Sequence, residues 1–180
     1  MSTTIDQNQG ECVVFTFKEG LLSPVAHDLR LKVERWTVMW DATTRALEGR
    51  FTAGSVVVDA VMRDGRPAPG VLDAKDKAKI EKNMREDVLA TARHPEVRFR
   101  ASVPAGAAPS LVQGELELAG RTRPLSVQVR QDGASWVAEA TIHQPDWGIK
   151  PYTAMLGTLK VKPDVRVRVT VGVDVMGQVG

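Results

Sequence analysis

Four side chains stand out as able to do chemistry: His27, His94, His143 and the single cysteine, Cys12. Ser23, His27 and Asp28 bring the three residue types of a nucleophilic triad close together in the chain. Such a triad must converge in space, yet adjacent residues in extended chain, here His27 and Asp28, project to opposite faces. A metal site would need the histidines to meet one another, with Cys12 or carboxylates. No pair has ligand spacing, and His143 and Cys12 fall on the polar phase of their segments. These residues predict no catalytic group, no metal site and no cofactor. No glycine-rich loop follows a strand and opens a helix, so no phosphate cradle is predicted.

His27 invites a different role. It shares the phase of Leu29, Leu31 and Val33, so it is expected to point toward the same apolar face near one end of it. There it could meet the polar end of a ligand, or be satisfied by a backbone carbonyl or by Asp28.

The elements that must position it read as strands. Apolar residues alternate at Val165, Val167, Val169, Val171, Val173 and Val175, with Arg166, Arg168, Thr170, Gly172 and Asp174 between them. That pattern predicts a long, half-buried strand. The same phase is read at Val13, Phe15 and Phe17, at Val97 and Phe99, at Leu116 and Leu118, at Leu125, Val127 and Val129, and at Trp136, Ala138, Ala140 and Ile142. Residues 46 to 62 read as one further strand whose alternation changes phase near Gly54, predicting a bulge or bend. Asp132-Gly133 and Asp64-Gly65 supply hairpin chemistry, hence antiparallel neighbours.

One segment differs. Asp73 to Ala92 is rich in helix formers, places Ile80, Met84 and Val88 on one face, and has Asp73 as an N-cap. His94-Pro95 ends it, because the residue before proline is pushed toward extended backbone. The expectation is an all-β domain of about eight antiparallel strands, closed as a barrel, with one helix (about residues 73–92) packed outside. Eight strands enclose an interior that side chains can fill or that one slim ligand can occupy.

A chain of 180 residues suits one domain. It is expected over 11–176, with a flexible segment at 1–10 and a tail at 177–180. The net charge of +2 arises from 24 basic and 22 acidic side chains, so no large field favours nucleic acid. The arginines between the late valines lack the stacking aromatics of a single-strand platform. No stretch approaches a bilayer-spanning length, so stable membrane insertion is not expected. The first ten residues carry no apolar run of signal-peptide length, and one cysteine suits a reducing compartment. The expected location is cytoplasmic.

Residues about 11 to 173 resemble the YceI family of lipocalin-like, polyisoprenoid-binding proteins. The resemblance is carried by Ala26-His27-Asp28-Leu29, by His94-Pro95-Glu96-Val97-Arg98-Phe99, by Gly114-Glu115-Leu116-Glu117-Leu118 with Gly120-Arg121-Thr122-Arg123-Pro124, and by Asp146-Trp147-Gly148-Ile149-Lys150-Pro151-Tyr152. It implies an eight-stranded barrel with a helix outside it, and an interior that holds a long isoprenoid, an isoprenoid-quinone-like compound or another amphiphilic lipid. A homodimer is implied only by this resemblance, since the chain has no heptad run or other assembly signal. The chain departs from many members in lacking a secretion signal, and in having Gln144-Pro145-Asp146-Trp147 where they carry an arginine and a phenylalanine.

If the apolar phase faces inward, Phe15, Phe17, Leu29, Leu31, Phe51, Phe99, Val127 and Trp136 line the interior, with His27 near a mouth. Trp147 and Tyr152 lie in a turn-rich connection, where they form the rim or plug the end. The alternative is a filled barrel, a structural or interaction module whose side chains meet in the middle.

Overall fold

The computed structural model describes residues 2–20, 26–105, 110–157 and 159–174. Ser23, Val175 and the expected 177–180 tail lie outside the described residues. The strands are β1 (Ser2–Asp6), β2 (Gly10–Thr16), β3 (Asp28–Val33), β4 (Trp36–Asp41), β5 (Ala46–Thr52), β6 (Val56–Arg63) and β7 (Arg66–Ala68). After helix α1 (Ala74–Asn83) come β8 (Glu96–Ser102), β9 (Leu111–Leu118), β10 (Arg121–Asp132), β11 (Ser135–His143), β12 (Thr153–Ala154), β13 (Leu159–Lys160) and β14 (Asp164–Gly172).

Twelve of these strands form one antiparallel sheet in the order β1-β4-β5-β8-β9-β10-β11-β14-β2-β3-β6-β7, while β12 and β13 form a small ribbon. The eight-stranded closed barrel is therefore corrected to a twelve-stranded open sheet with β1 and β7 at its edges. The sheet nevertheless curls, because Ile5 of β1 shares a buried cluster with Val56 and Val58 of β6, beside the other edge.

The extra strands have identifiable causes. The 1–10 segment, expected to be flexible, supplies β1, which pairs with β4 from Ser2↔Asp41 to Asp6↔Thr37. β4 escapes a period-two reading because Val38, Met39 and Trp40 are consecutive apolar residues, yet Trp36 is buried and Met39 faces outward. The long strand expected over 46 to 62 is two strands, with a 3-10 turn at Ala53–Ser55 between them. Buried Ser55 fixes that corner: its hydroxyl accepts from Arg35 N (3.0 Å) and donates to Thr52 O (2.8 Å).

Two expected turns are present. Asp64 and Gly65 both have positive φ between β6 and β7, and Asp132 pairs with Ser135 across the turn holding Gly133. Asp73 caps α1, its carboxylate accepting from Asp76 N at 2.8 Å. A π-helical turn, Met84–Val88, continues α1. Glu81 of α1 accepts from Val58 N at 2.9 Å, and Lys77 Nζ donates to Asp59 O at 3.2 Å, so the helix is tied to β6.

Buried side chains form two clusters instead of one centre. The first gathers Cys12, Leu31, Val33, Trp36, Val56, Val58 and Val171; the second gathers Phe99, Val112, Leu116, Leu118, Ile142, Trp147 and Ile149. Partly buried Leu89 and Val167 pack against both.

Candidate ligand-binding cavity

Between the clusters lies a cavity of about 1100 Å³. That is just above the roughly 300–1,000 Å³ span of small-molecule sites, room suited to a long molecule. Its wall is overwhelmingly apolar, drawn from inward positions of β2, β3, β5, β6, β8, β9, β10, β11 and β14. The valine ladder of β14 contributes Val165, Val167, Val169 and Val171, and its neighbour β11 contributes Trp136, Ala138, Ala140 and Ile142. Small side chains at 138 and 140 help keep the space open.

Most of the expected residues border this space: His27, Leu29, Leu31, Phe51, Phe99, Val127, Trp136 and Tyr152. Phe15, Phe17 and Trp147 do not. β2 carries apolar residues on both faces, Cys12, Val13, Val14 and Phe15 in a row, so its pattern does not reveal which phase turns inward. Its pairing decides: Val14 lies opposite Val167 and Cys12 opposite Val169, so Cys12, Val14 and Thr16 face the cavity. Phe15 and Phe17 fall on the outer face, with the Arg168 and Arg166 guanidinium carbons 5.2 and 5.8 Å from their ring centroids. Trp147 is buried behind the wall, in the second cluster, and its indole N–H donates to Leu116 O at 3.0 Å. The positive φ of Gly148 allows the turn that follows, where any side chain would strike the Arg121 guanidinium.

The helix is not simply outside the sheet. Ile80, Met84 and Val88 line the cavity, so its apolar face serves as part of the enclosure. Asn83 Nδ2 donates to Tyr152 Oη at 2.9 Å, linking the helix to the connection before β12. The alternation of Ile80, Met84 and Val88 predicts an apolar face, but a helix pattern does not say whether a neighbour fills the space opposite it.

Few polar groups face the interior. His27 is half-buried; burial, then Arg63 and Lys18, hold its pKa below 6.5 against the opposing pull of Asp28. Arg45 reaches the wall, but its guanidinium donates to Val103 O (Nε, 2.8 Å) and to Pro104 O, and lies 5.6 Å from the Trp40 ring centroid. Buried Gln144 donates through Nε2 to Lys162 O at 3.2 Å. Asp76, Lys79 and Lys160 also border the cavity, and all three are exposed. Cys12 is fully buried, and burial, with a smaller contribution from Glu11, pushes its thiol up to about 12. Cys12, expected on the polar phase, lines the cavity, and no sequence pattern singles out Gln144, Arg45 or Asn83 as lining residues.

The remaining chemistry-bearing residues are elsewhere. His143 Nδ1 is 2.6 Å from Asp164 Oδ1 on the exposed ends of β11 and β14. His94 packs against Gly120. Among the described residues, no three His, Cys, Asp or Glu side chains are grouped as a metal site.

A curled antiparallel sheet around an apolar cavity, walled on one side by a helix, defines a β protein with a hollow interior. The chain belongs to the family of the YceI-like domain, whose model matches residues 13–173. Solved structures share the fold at low identity. A polyisoprenoid-binding domain from Saccharophagus degradans, implicated in plant cell wall breakdown, superposes with a TM-score of 0.57 at 13% identity, over 94% of this chain and 95% of that one. BcnA of Burkholderia cenocepacia gives 0.52 at 16% identity, over 89% and 94%. The YceI protein of Campylobacter jejuni gives 0.51 at 11% identity, over 87% and 90%. No curated protein matches the chain.

Proposed function

We propose that this protein binds one elongated apolar or amphiphilic molecule, an isoprenoid or isoprenoid-quinone-like lipid, inside the cavity, and sequesters or carries it without transforming it. The observation that carries the reading is the 1100 Å³ apolar hollow between the two clusters. Membership of the YceI-like family and the fold shared with a polyisoprenoid-binding domain support it. Burial contributes about 0.8 kcal/mol per methylene against about 1 for a neutral hydrogen bond, so a five-carbon unit outweighs a polar contact and tail length governs affinity. The proposal includes no catalytic step and residence in the cytoplasm. The filled-barrel reading is the alternative, and the hollow weighs against it.

Solvent extraction of the purified protein followed by mass spectrometry tests this. The expected result is one apolar compound at close to one per chain, lost in Ala138→Trp, whose indole would occupy the hollow. A folded protein that yields no such compound, and takes up no offered C20 isoprenoid, would falsify the reading.

A further inference from the structure

The lipid-carrier reading leaves open which kind of polar end the cavity accepts, and the wall itself answers. Gln144 is only 7% exposed and borders the cavity. Its amide N–H is committed to Lys162 O, while its Oε1 accepts no hydrogen bond among the described residues. Trp36 Nε1 is the one fully buried side-chain N or O atom without a partner among the described residues, so Gln144 Oε1 opens onto accessible space, where a donor from the hollow can reach it. Tyr152 complements it: the phenol oxygen accepts from Asn83, and its own proton has no acceptor among the described residues.

These groups belong to one patch. Gln144 Nε2 bonds Lys162 O; Lys162 N bonds Phe17 O at 2.8 Å; Val161 N bonds Tyr152 O at 3.0 Å. Lys18 pairs with Val161, and its N–H bonds Asp28 Oδ1 at 2.7 Å, which brings His27 to the same region. Among the described lining residues there is no spare buried charge for an anion, since Lys18 and Arg63, the cations acting on His27, do not border the cavity. Arg45 is taken up by two carbonyls, and Lys79 and Lys160 are exposed to solvent beside Asp76. A buried anion left unpaired is far more costly than a neutral group that makes hydrogen bonds.

We infer that Gln144 and Tyr152 form a headgroup site for an uncharged hydroxyl, which donates to Gln144 Oε1 and accepts from Tyr152 Oη, so that the preferred ligand is a long-chain alcohol or phenol. The inference rests on the carrier reading. His27 is consistent with it, being held in its neutral form at neutral pH by burial and by Arg63 and Lys18.

Three C20 isoprenoids with the same carbon skeleton distinguish the two: geranylgeraniol, its monophosphate and the parent hydrocarbon. Binding is read from the fluorescence of Trp40 and Trp136, both on the cavity wall. The alcohol is expected to bind about tenfold more tightly than the hydrocarbon, as one or two net hydrogen bonds allow. It should also bind more tightly than the phosphate. Near-isosteric Gln144→Met is expected to remove most of the alcohol's advantage and to leave hydrocarbon affinity within about twofold, since the apolar wall is unchanged. Should that variant not fold, Tyr152→Phe carries the same test with a smaller loss. If alcohol and hydrocarbon bind equally to the unaltered protein, or the phosphate binds best, or the variant weakens all three alike, the headgroup site is wrong and the carrier reading stands. If none of the three binds, both fall.

Discussion

The inner and outer faces of β11, β14 and β2 are built on opposite rules. Inward, Ala138, Ala140, Val167 and Val169 border empty space. Outward, the charged side chains are engaged: Glu139 lies 2.8 Å from Arg168 and 2.6 Å from Arg130, while Arg168 and Arg166 sit over Phe15 and Phe17. In a filled core, opposed side chains interlock and fix register. Across a hollow they have nothing opposite to grip, so register must come from the backbone ladder, the outer face and the solid packing behind the wall.

The largest effect should come where packing is solid. Trp147→Ala removes a buried indole and its bond to Leu116 O, and should cost about 3–5 kcal/mol in urea unfolding. A loss below about 1 kcal/mol would mean that this backing does not hold the wall.

Val167→Ala probes the hollow side itself. Its side chain packs against both clusters but also borders the cavity, so the delipidated protein should lose only about 1 kcal/mol, with a larger loss once lipid fills the cavity. An equal and large loss in both states would mean the wall is packed.

Glu139→Gln tests the outer face and should be smaller still, below about 1 kcal/mol, as partly exposed ion pairs are. Burial acts to raise the Glu139 pKa, but the hydrogen bonds and charges of Arg168 and Arg130 outweigh it and hold the pKa below its ordinary 4.5. The stabilisation is therefore full above pH 4.5 and fades as pH falls through the folded value. The difference between the unaltered protein and the variant should shrink in acid; a difference that grows there would refute the pairing.

The smallest effect is expected from His27. Its folded pKa lies below 6.5, so the unfolded chain binds the proton first, and stability declines as pH drops from 6.5 toward the folded value. His27→Gln should flatten that slope in unfolding measured between pH 7 and 5.

How much of this was readable depends on what each residue faces. β14 was legible because Arg166 and Arg168 alternate with valines, leaving one assignment of faces. β2 was not, since Cys12 to Phe15 are all compatible with burial and only pairing with β14 turns Val14 inward. β4 was hidden by Met39, an apolar side chain left 41% exposed. Among candidate site residues, His27 was placed by its phase with Leu29 and Leu31. Gln144 was missed because no periodicity runs through Gln144-Pro145-Asp146-Trp147, and its position depends on a backbone carbonyl 18 residues later in the chain.

The sulfur of Cys12 has a practical corollary. A thiol that keeps its proton up to about 12 and is fully buried at the cavity wall is slow to react and hard to reach. An uncharged alkylating reagent that reaches it through the cavity must travel the passenger's own route, so its labelling rate is an occupancy gauge: less slow when the berth is vacant, slowest when a passenger is aboard.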